Sequence, residues 1–248
     1  LSALFCLLCA GSLFAADITI AVMPKGLDNP VFAPTRAGAE AEGKKLGVEV
    51  IWVGPAETST EGQIAVIESL IAKGVDAIAL SANDATALND VINEAVAAGI
   101  IVTTWDSDAS GSQRLFYVGT NNYDGGFKAG KEMLDLVGAN KKVAVLSGSP
   151  EAANLNERIQ GFKDAVKDSN IQVIDTVYCY DSVDEAINLV EVYTKTHPDF
   201  DGWYFAGGWP LWGGAEQMAN LKAFEGSVVC FDFFPSTKAF TKELIDVS

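Results

Sequence analysis

The sequence predicts an α/β protein built as two successive blocks of parallel β-sheet covered by helices. Three observations carry this. Apolar runs rich in Val and Ile recur along the chain, as expected for strands buried on both faces. Segments with apolar residues at helical spacing fill the gaps between them. The alternation is interrupted once, by the polar, glycine-bearing stretch 119–126, so that each block has about 100 residues or more, an ordinary domain size.

Taken in order, residues 1–16, LSALFCLLCAGSLFAA, are apolar and end in small side chains. They read as the latter part of a secretory signal peptide, with cleavage near Ala15 or Ala16 and a mature start near Asp17. The run is shorter than the roughly 20 residues that span a bilayer. Strands are expected at Ile18–Met23, Val48–Val53, Ala77–Ser81 and Ile100–Trp105, followed by a short one at Leu115–Val118. Between them, Ile64, Ile67 and Ile71 share one helical face, and Leu88, Val91, Ile92, Ala95 and Val96 share another. Thr58 and Glu61 have the spacing of a capping box, and Gly74 and Gly99 stand where helices should stop. The second block repeats the pattern with strands at Val143–Ser147, Ile171–Tyr178, Gly202–Ala206 and Val228–Asp232, then an amphipathic stretch, Thr237–Ile245. The division falls at 17–120 and 121–248, with Gly119, Thr120 and Asn121 as the connection.

Composition narrows the function. The formal net charge of the 248 residues is −16, which disfavours nucleic acid and anionic membrane surfaces as partners, since both require a basic face. Of four cysteines, Cys6 and Cys9 fall in the leader; Cys179 and Cys230 each end a strand. An exported chain could join them, but two free, buried thiols are the plainer reading. The single histidine, His197, and the absence of a CxxC pair after the leader leave no zinc set in the mature chain.

Ligand crevices in parallel α/β sheets lie at the carboxyl ends of strands. The residues found there are Asn29 and Phe32 after the first strand, and Asp106 and Asp108 after the fourth. In the second block Asn154 and Arg158, four residues apart on one helix, follow the strand Val143–Ser147. Trp209 and Trp212 occupy a glycine-rich loop, and Asp232 ends the last strand. Asn83-Asp84, after the third strand, reads better as a helix cap. The set contains acids, amides, one guanidinium and aromatics. It holds no G-x-S-x-G elbow, and Ser147-Gly-Ser149 lacks the lysine of a phosphate loop. Asp106 and Asp108 lie in one loop, which suits hydroxyl binding better than the opposed acid and nucleophile of a glycosidase. A ligand with several hydroxyls suits these groups: carboxylates accept, amides do both, an Arg fork serves two oxygens, and rings cover C–H faces.

With these residues in view, the chain resembles the type I periplasmic sugar-binding proteins of bacterial ABC importers, the ribose-, xylose- and glucose-binding group. The likeness runs through NPVF at 29–32, GVDAIALSANDATAL at 74–88, GIIVTTWDSD at 99–108, RLFYVGTNNYDGGFKAG at 114–130, NERIQGFKDAV at 156–166 and CFDFFP at 230–235. The resemblance implies two Rossmann-like lobes that close on sugar about a hinge at Gly119, Thr120 and Asn121, with Phe32 as a stacking ring. It implies Asn29, Asp106, Asp108, Asn154, Arg158 and Asp232 as ligand groups, with Trp209 or Trp212 beside them. It further implies no catalysis, cofactor or metal, a monomer that delivers sugar to a membrane permease, and a periplasmic (or cell-surface) location. Two departures go with it. The family continues past the equivalent of Ser248 into a hinge strand and a last helix, so a C-terminally truncated first lobe is expected. The DSD loop replaces the acid–Arg pair of ribose-type members, which keeps an autoinducer-like ligand open. A ligand-sensing domain of a receptor or regulator is the alternative of another class; an enzyme lacks its chemical groups.

Overall fold

A computed structural model describes residues 18–233 and Thr237. The predicted leader and the stretch after Thr237 lie outside the described residues. The first block forms β1 (Thr19–Met23), α1 (Ala33–Leu46), β2 (Glu49–Trp52), α2 (Thr60–Lys73), β3 (Ala77–Leu80), α3 (Asn89–Ala97), β4 (Ile101–Trp105) and β5 (Tyr117–Val118). The second forms α4 (Asn122–Val137), β6 (Lys142–Ser147), α5 (Ala153–Val166), β7 (Gln172–Tyr178), α6 (Val183–Thr196), β8 (Gly202–Phe205), the short α7 (Trp209–Trp212) and α8 (Ala219–Lys222), and β9 (Ser227–Cys230). All pairings between these strands are parallel, in the orders β2-β1-β3-β4-β5 and β7-β6-β8-β9.

Each sheet has its own core. The first is centred on Met23, Ile67, Ile78, Leu80 and Ile92, the second on Met133, Phe162, Trp203, Tyr204 and Phe205. The continuous apolar runs therefore belong to central strands, whereas the edge strands β2 and β7 are only partly covered. Gly74 and Gly99 do follow helices, with φ of 72° and 88°. The capping box does not form. Ser59, not Thr58, caps α2, its Oγ accepting from Gly62 N at 3.0 Å, which puts Gly62 rather than Glu61 at the third helical position. Asp84 accepts from the Thr86 and Ala87 N–H groups and so caps a turn before α3.

Cys179 and Cys230 are free, buried thiols. Two strands separate β7 from β9, and three interstrand steps of about 4.8 Å put the pair about 14 Å apart, twice the reach of a disulfide. Burial pushes the Cys230 thiol up to about 12 and the Cys179 thiol higher still.

Helices α4 and α5 cross with their backbones in contact. A Cβ on Gly126 would lie 1.9 Å from the Arg158 carbonyl oxygen, and one on Gly161 would lie 2.0 Å from that of Tyr123. This close approach sets where α5 presents Arg158. Gly161→Ala is expected to force the helices apart and cost about 2 kcal/mol of stability by overpacking, read from urea unfolding; an unchanged midpoint would contradict the crossing.

Candidate functional site

The carboxyl ends of the two sheets face each other across a cavity lined by Lys25, Asn29, Val31, Phe32 and Asp106 from the first lobe. Asn154, Leu155, Arg158, Asp181, Trp209, Trp212 and Asp232 line it from the second. Each follows a strand: β1 for 25–32, β4 for Asp106, β6 for 154–158, β7 for Asp181, β8 for the tryptophans and β9 for Asp232. The space open to the centre of a water molecule is about 40 Å³. The lobes touch directly, Lys25 Nζ donating to Asn154 Oδ1 at 3.0 Å, both residues being buried.

The three cavity acids share a backbone feature. Asp106, Asp181 and Asp232 have φ of 58°, 62° and 69°, in the left-handed region. Asp enters it more readily than most residues because its short side chain bonds locally. Such strain costs about 1 kcal/mol or more per residue and collects at functional sites. Asp106 Oδ2 accepts from Ser81 Oγ at 2.7 Å, and Asp232 Oδ2 from Gly208 N at 3.4 Å. Asp181 Oδ2 and Trp209 Nε1 are buried with no hydrogen-bond partner among the described residues, as expected of groups that await a polar ligand.

The Arg158 guanidinium lies 4.2 Å above the Phe231 ring; Nε donates to Asn122 Oδ1 at 2.9 Å and Nη1 to the Ala206 carbonyl at 2.8 Å. Nη2 has no partner among the described residues. Asn29 caps the 3₁₀ turn Pro30–Phe32, its Oδ1 accepting from Val31 N at 3.1 Å. Phe32 packs edge-on against Trp105, ring centres 5.3 Å apart.

A family profile described as periplasmic binding protein domain matches residues 20–244. The chain belongs to the periplasmic binding protein family. Within it the chain is similar to sugar-binding members of type I. The ribose import binding protein of Bacillus subtilis (strain 168) is 31% identical over 216 residues, covering 87% of this chain and 70% of that protein. A solute-binding protein of Burkholderia graminis C4D1M, solved in complex with D-arabinose, superposes with a TM-score of 0.84 at 32% identity, covering 93% of this chain and 81% of that one. GanP, a glucose-galactose binding protein from Geobacillus stearothermophilus, gives 0.81 at 29%, covering 93% and 83%.

In this periplasmic binding protein, eight of the nine residues singled out from the sequence, namely Asn29, Phe32, Asp106, Asn154, Arg158, Trp209, Trp212 and Asp232, line the one cavity. Asp108 does not. It is held in its own loop by Arg114, which donates from Nε to Oδ1 at 2.8 Å and from Nη2 to Oδ2 at 2.7 Å. Thr104 Oγ1 and the Ala109 N–H also donate to Oδ1. Burial alone would raise the Asp108 carboxyl, but these bonds outweigh it and leave it below the usual carboxylate range. With its oxygens so occupied, Asp108 braces the Asp106 loop. Gly119, Thr120 and Asn121 lie between β5 and α4, and Asn121 caps α4.

Lys25 and Asp181 were not among the expected site residues. Lys25 lies four residues before Asn29 in the same loop, and Asp181 follows β7 as the other acids follow their strands; position relative to strand ends was the usable signal. Beneath them, buried Gln63 ties the segments after β1 and β3 together, donating to the Pro24 and Ser81 carbonyls and accepting from Asn83 N. A larger surface groove of about 750 Å³, lined by Leu136, Lys141, Phe200, Asp201, Phe224 and Glu225 among others, lies at the opposite ends of the second-sheet strands; it is built from the second lobe alone, and its Lys141 and Asp201 pair with each other at 2.8 Å.

Burial lifts the carboxyls of both Asp181 and Asp232 above their ordinary value of 3.8; Lys25 offsets part of this at Asp181, and Arg158 part at Asp232. A raised acid binds its proton more tightly in the native than in the unfolded chain. Its contribution to stability is therefore full below the unfolded value and falls as pH rises through the raised one. Ligand-free Asp181→Asn is accordingly expected to lose part of the wild-type decline in unfolding free energy as pH rises above the ordinary carboxylate value. Equal slopes in urea titrations would contradict this.

Proposed function

We propose that this protein captures a monosaccharide or a similar small polyhydroxylated ligand between its two lobes and delivers it to an ABC permease, without bond-making or bond-breaking. The observation that carries the reading is the convergence of three carboxylates, two cations, two amides and three aromatic rings, drawn from both lobes, on one cavity. Hydroxyl groups can donate to the acids and accept from Lys25, Arg158 and the amides, and the rings can cover apolar faces. At about 10–15 Å³ per water the cavity holds about three waters, fewer heavy atoms than a sugar ring has, so a ring enters only as the lobes part and the side chains around the cavity move.

In this reading Asn29, Phe32, Asp106, Asn154, Arg158, Trp209, Trp212 and Asp232 are joined at the ligand by Lys25 and Asp181. The lobes, 17–120 and 121–248, rotate about Gly119–Asn121, and sugar favours the closed state because only there do both lobes touch it. The protein acts as an exported monomer. The sugars named for the similar proteins provide the test. Calorimetry with D-ribose, D-arabinose, D-glucose and D-galactose should show saturable one-to-one binding of at least one; binding of none would remove the proposal.

A further inference from the structure

Two polar side chains flank the Gly119–Asn121 connection and do not line the cavity: Tyr117 at the end of the first sheet and buried Asn122 at the start of α4. Asn122 Oδ1 accepts from Arg158 Nε at 2.9 Å, while its Nδ2 donates to the Thr120 carbonyl at 3.1 Å and to the Tyr117 hydroxyl at 3.4 Å. The Tyr117 hydroxyl in turn lies 2.9 Å from the Asp106 carbonyl and 3.3 Å from that of Thr120, with one proton to donate. We propose that Tyr117 and Asn122 are positioning residues: a hydrogen-bonded relay across the connection that aligns Arg158 with Asp106 in the closed arrangement of the lobes. The proposal rests on the reading of the cavity as a sugar site.

The chemistry of the relay is directional. A guanidinium offers only donors, so the amide oxygen of Asn122 must face Arg158 and its NH2 must face the connection. The side chain thus cannot flip without losing bonds at both ends. Arg158 belongs to the second lobe and Asp106 to the first, and the relay joins them through the three residues about which the lobes turn. Its longest bond, 3.4 Å, is the one between Tyr117 and Asn122, where rotation would part the two sides. Gly119 supplies the room: a Cβ there would stand 2.1 Å from the Tyr117 hydroxyl, so a larger residue would displace the ring from its place over the connection.

The test uses the 248-residue chain with Cys6 and Cys9 replaced by serine and spin labels on cysteines introduced at the exposed Lys44 and Lys167. Pulsed dipolar spectroscopy then reports the interlobe distance in wild type, Tyr117→Phe, Asn122→Ala, Gly119→Ala and the Tyr117→Phe/Asn122→Ala double variant. Without sugar, each variant should shift population from the shorter to the longer distance. Calorimetry with whichever of D-ribose, D-arabinose, D-glucose and D-galactose binds wild type most tightly should show each single variant weaker by about two- to tenfold, one hydrogen bond's worth. The double variant should be no weaker than Asn122→Ala, because members of one relay do not add. Unchanged distances, unchanged affinity or additive losses would overturn the relay. Tyr117→Phe, which removes a single hydroxyl, carries the test if Asn122→Ala does not fold. If wild type binds none of the four sugars, the proposed function fails, and the sugar-free distances still decide the relay.

Discussion

Arg158→Ala is expected to abolish measurable sugar binding and to lower folding stability by about 3–5 kcal/mol, the cost of breaking a buried charge set by removing one partner. Four losses coincide. The Ala206 carbonyl loses the Nη1 donor and Asn122 Oδ1 loses Nε. The Phe231 face loses the cation 4.2 Å above it. Asp232, whose carboxyl burial already pushes up, loses the nearby charge that most offsets that push. Arg158→Lys should recover little, since an ammonium cannot reproduce the planar fork that serves several acceptors at once. Chemical denaturation reads the stability and calorimetry the binding; an alanine variant within 1 kcal/mol of wild type, roughly a fivefold change, would contradict the arrangement.

Asp106→Ala is expected to weaken sugar binding by about 30- to 150-fold, or about 2–3 kcal/mol, the range for a hydrogen bond to a charged group. One carboxylate oxygen is taken by Ser81, which leaves the other to accept from a ligand hydroxyl. The left-handed backbone, φ 58°, adds about 1 kcal/mol of folding cost for alanine, a residue without the side-chain bonding that eases Asp into that region. Asp106→Asn separates the two effects. It keeps the residue type that tolerates the backbone and loses only the charge, so it should retain wild-type stability while still weakening the sugar. Equal affinity in Asn and wild type would show that the carboxylate charge is not used.

Much of this architecture was legible because a parallel sheet imposes a simple code. Central strands such as β6 and β8 are covered on both faces, so their apolar runs are nearly continuous, and the crevice must lie where they end. That rule points to Asp106, Asn154, Arg158 and Asp232, all of which line the cavity. It also points to Asp108, which lies outside the cavity lining, because the bidentate pair with Arg114 depends on how the intervening loop folds back, which spacing does not reveal. It missed Asp181 because β7 is a half-covered edge strand and the residues after it carry no motif. A lysine in a loop is ordinarily solvated, whereas Lys25 is buried and donates to Asn154 of the other lobe, a contact that spacing does not reveal. The choice between Thr58 and Ser59 as the cap of α2 turned on which of two adjacent hydroxyls reaches a free N–H, a difference of one residue that the pattern does not resolve. Tyr117 and Asn122 fall within the stretch 114–130 that carries part of the family likeness, but their hydrogen bonds to each other and to Arg158 arise from the geometry of the connection between them and could not be read from spacing.

The central claim is that sugar binds where the two lobes meet. A crystal structure of the chain grown with the sugar that calorimetry selects tests it most directly. The account predicts one ring in the cavity, within hydrogen-bonding distance of Asp106 from one lobe and of Asn154, Arg158 and Asp232 from the other. A ring bound instead in the groove beside Phe200 and Phe224, or touching one lobe alone, would contradict it.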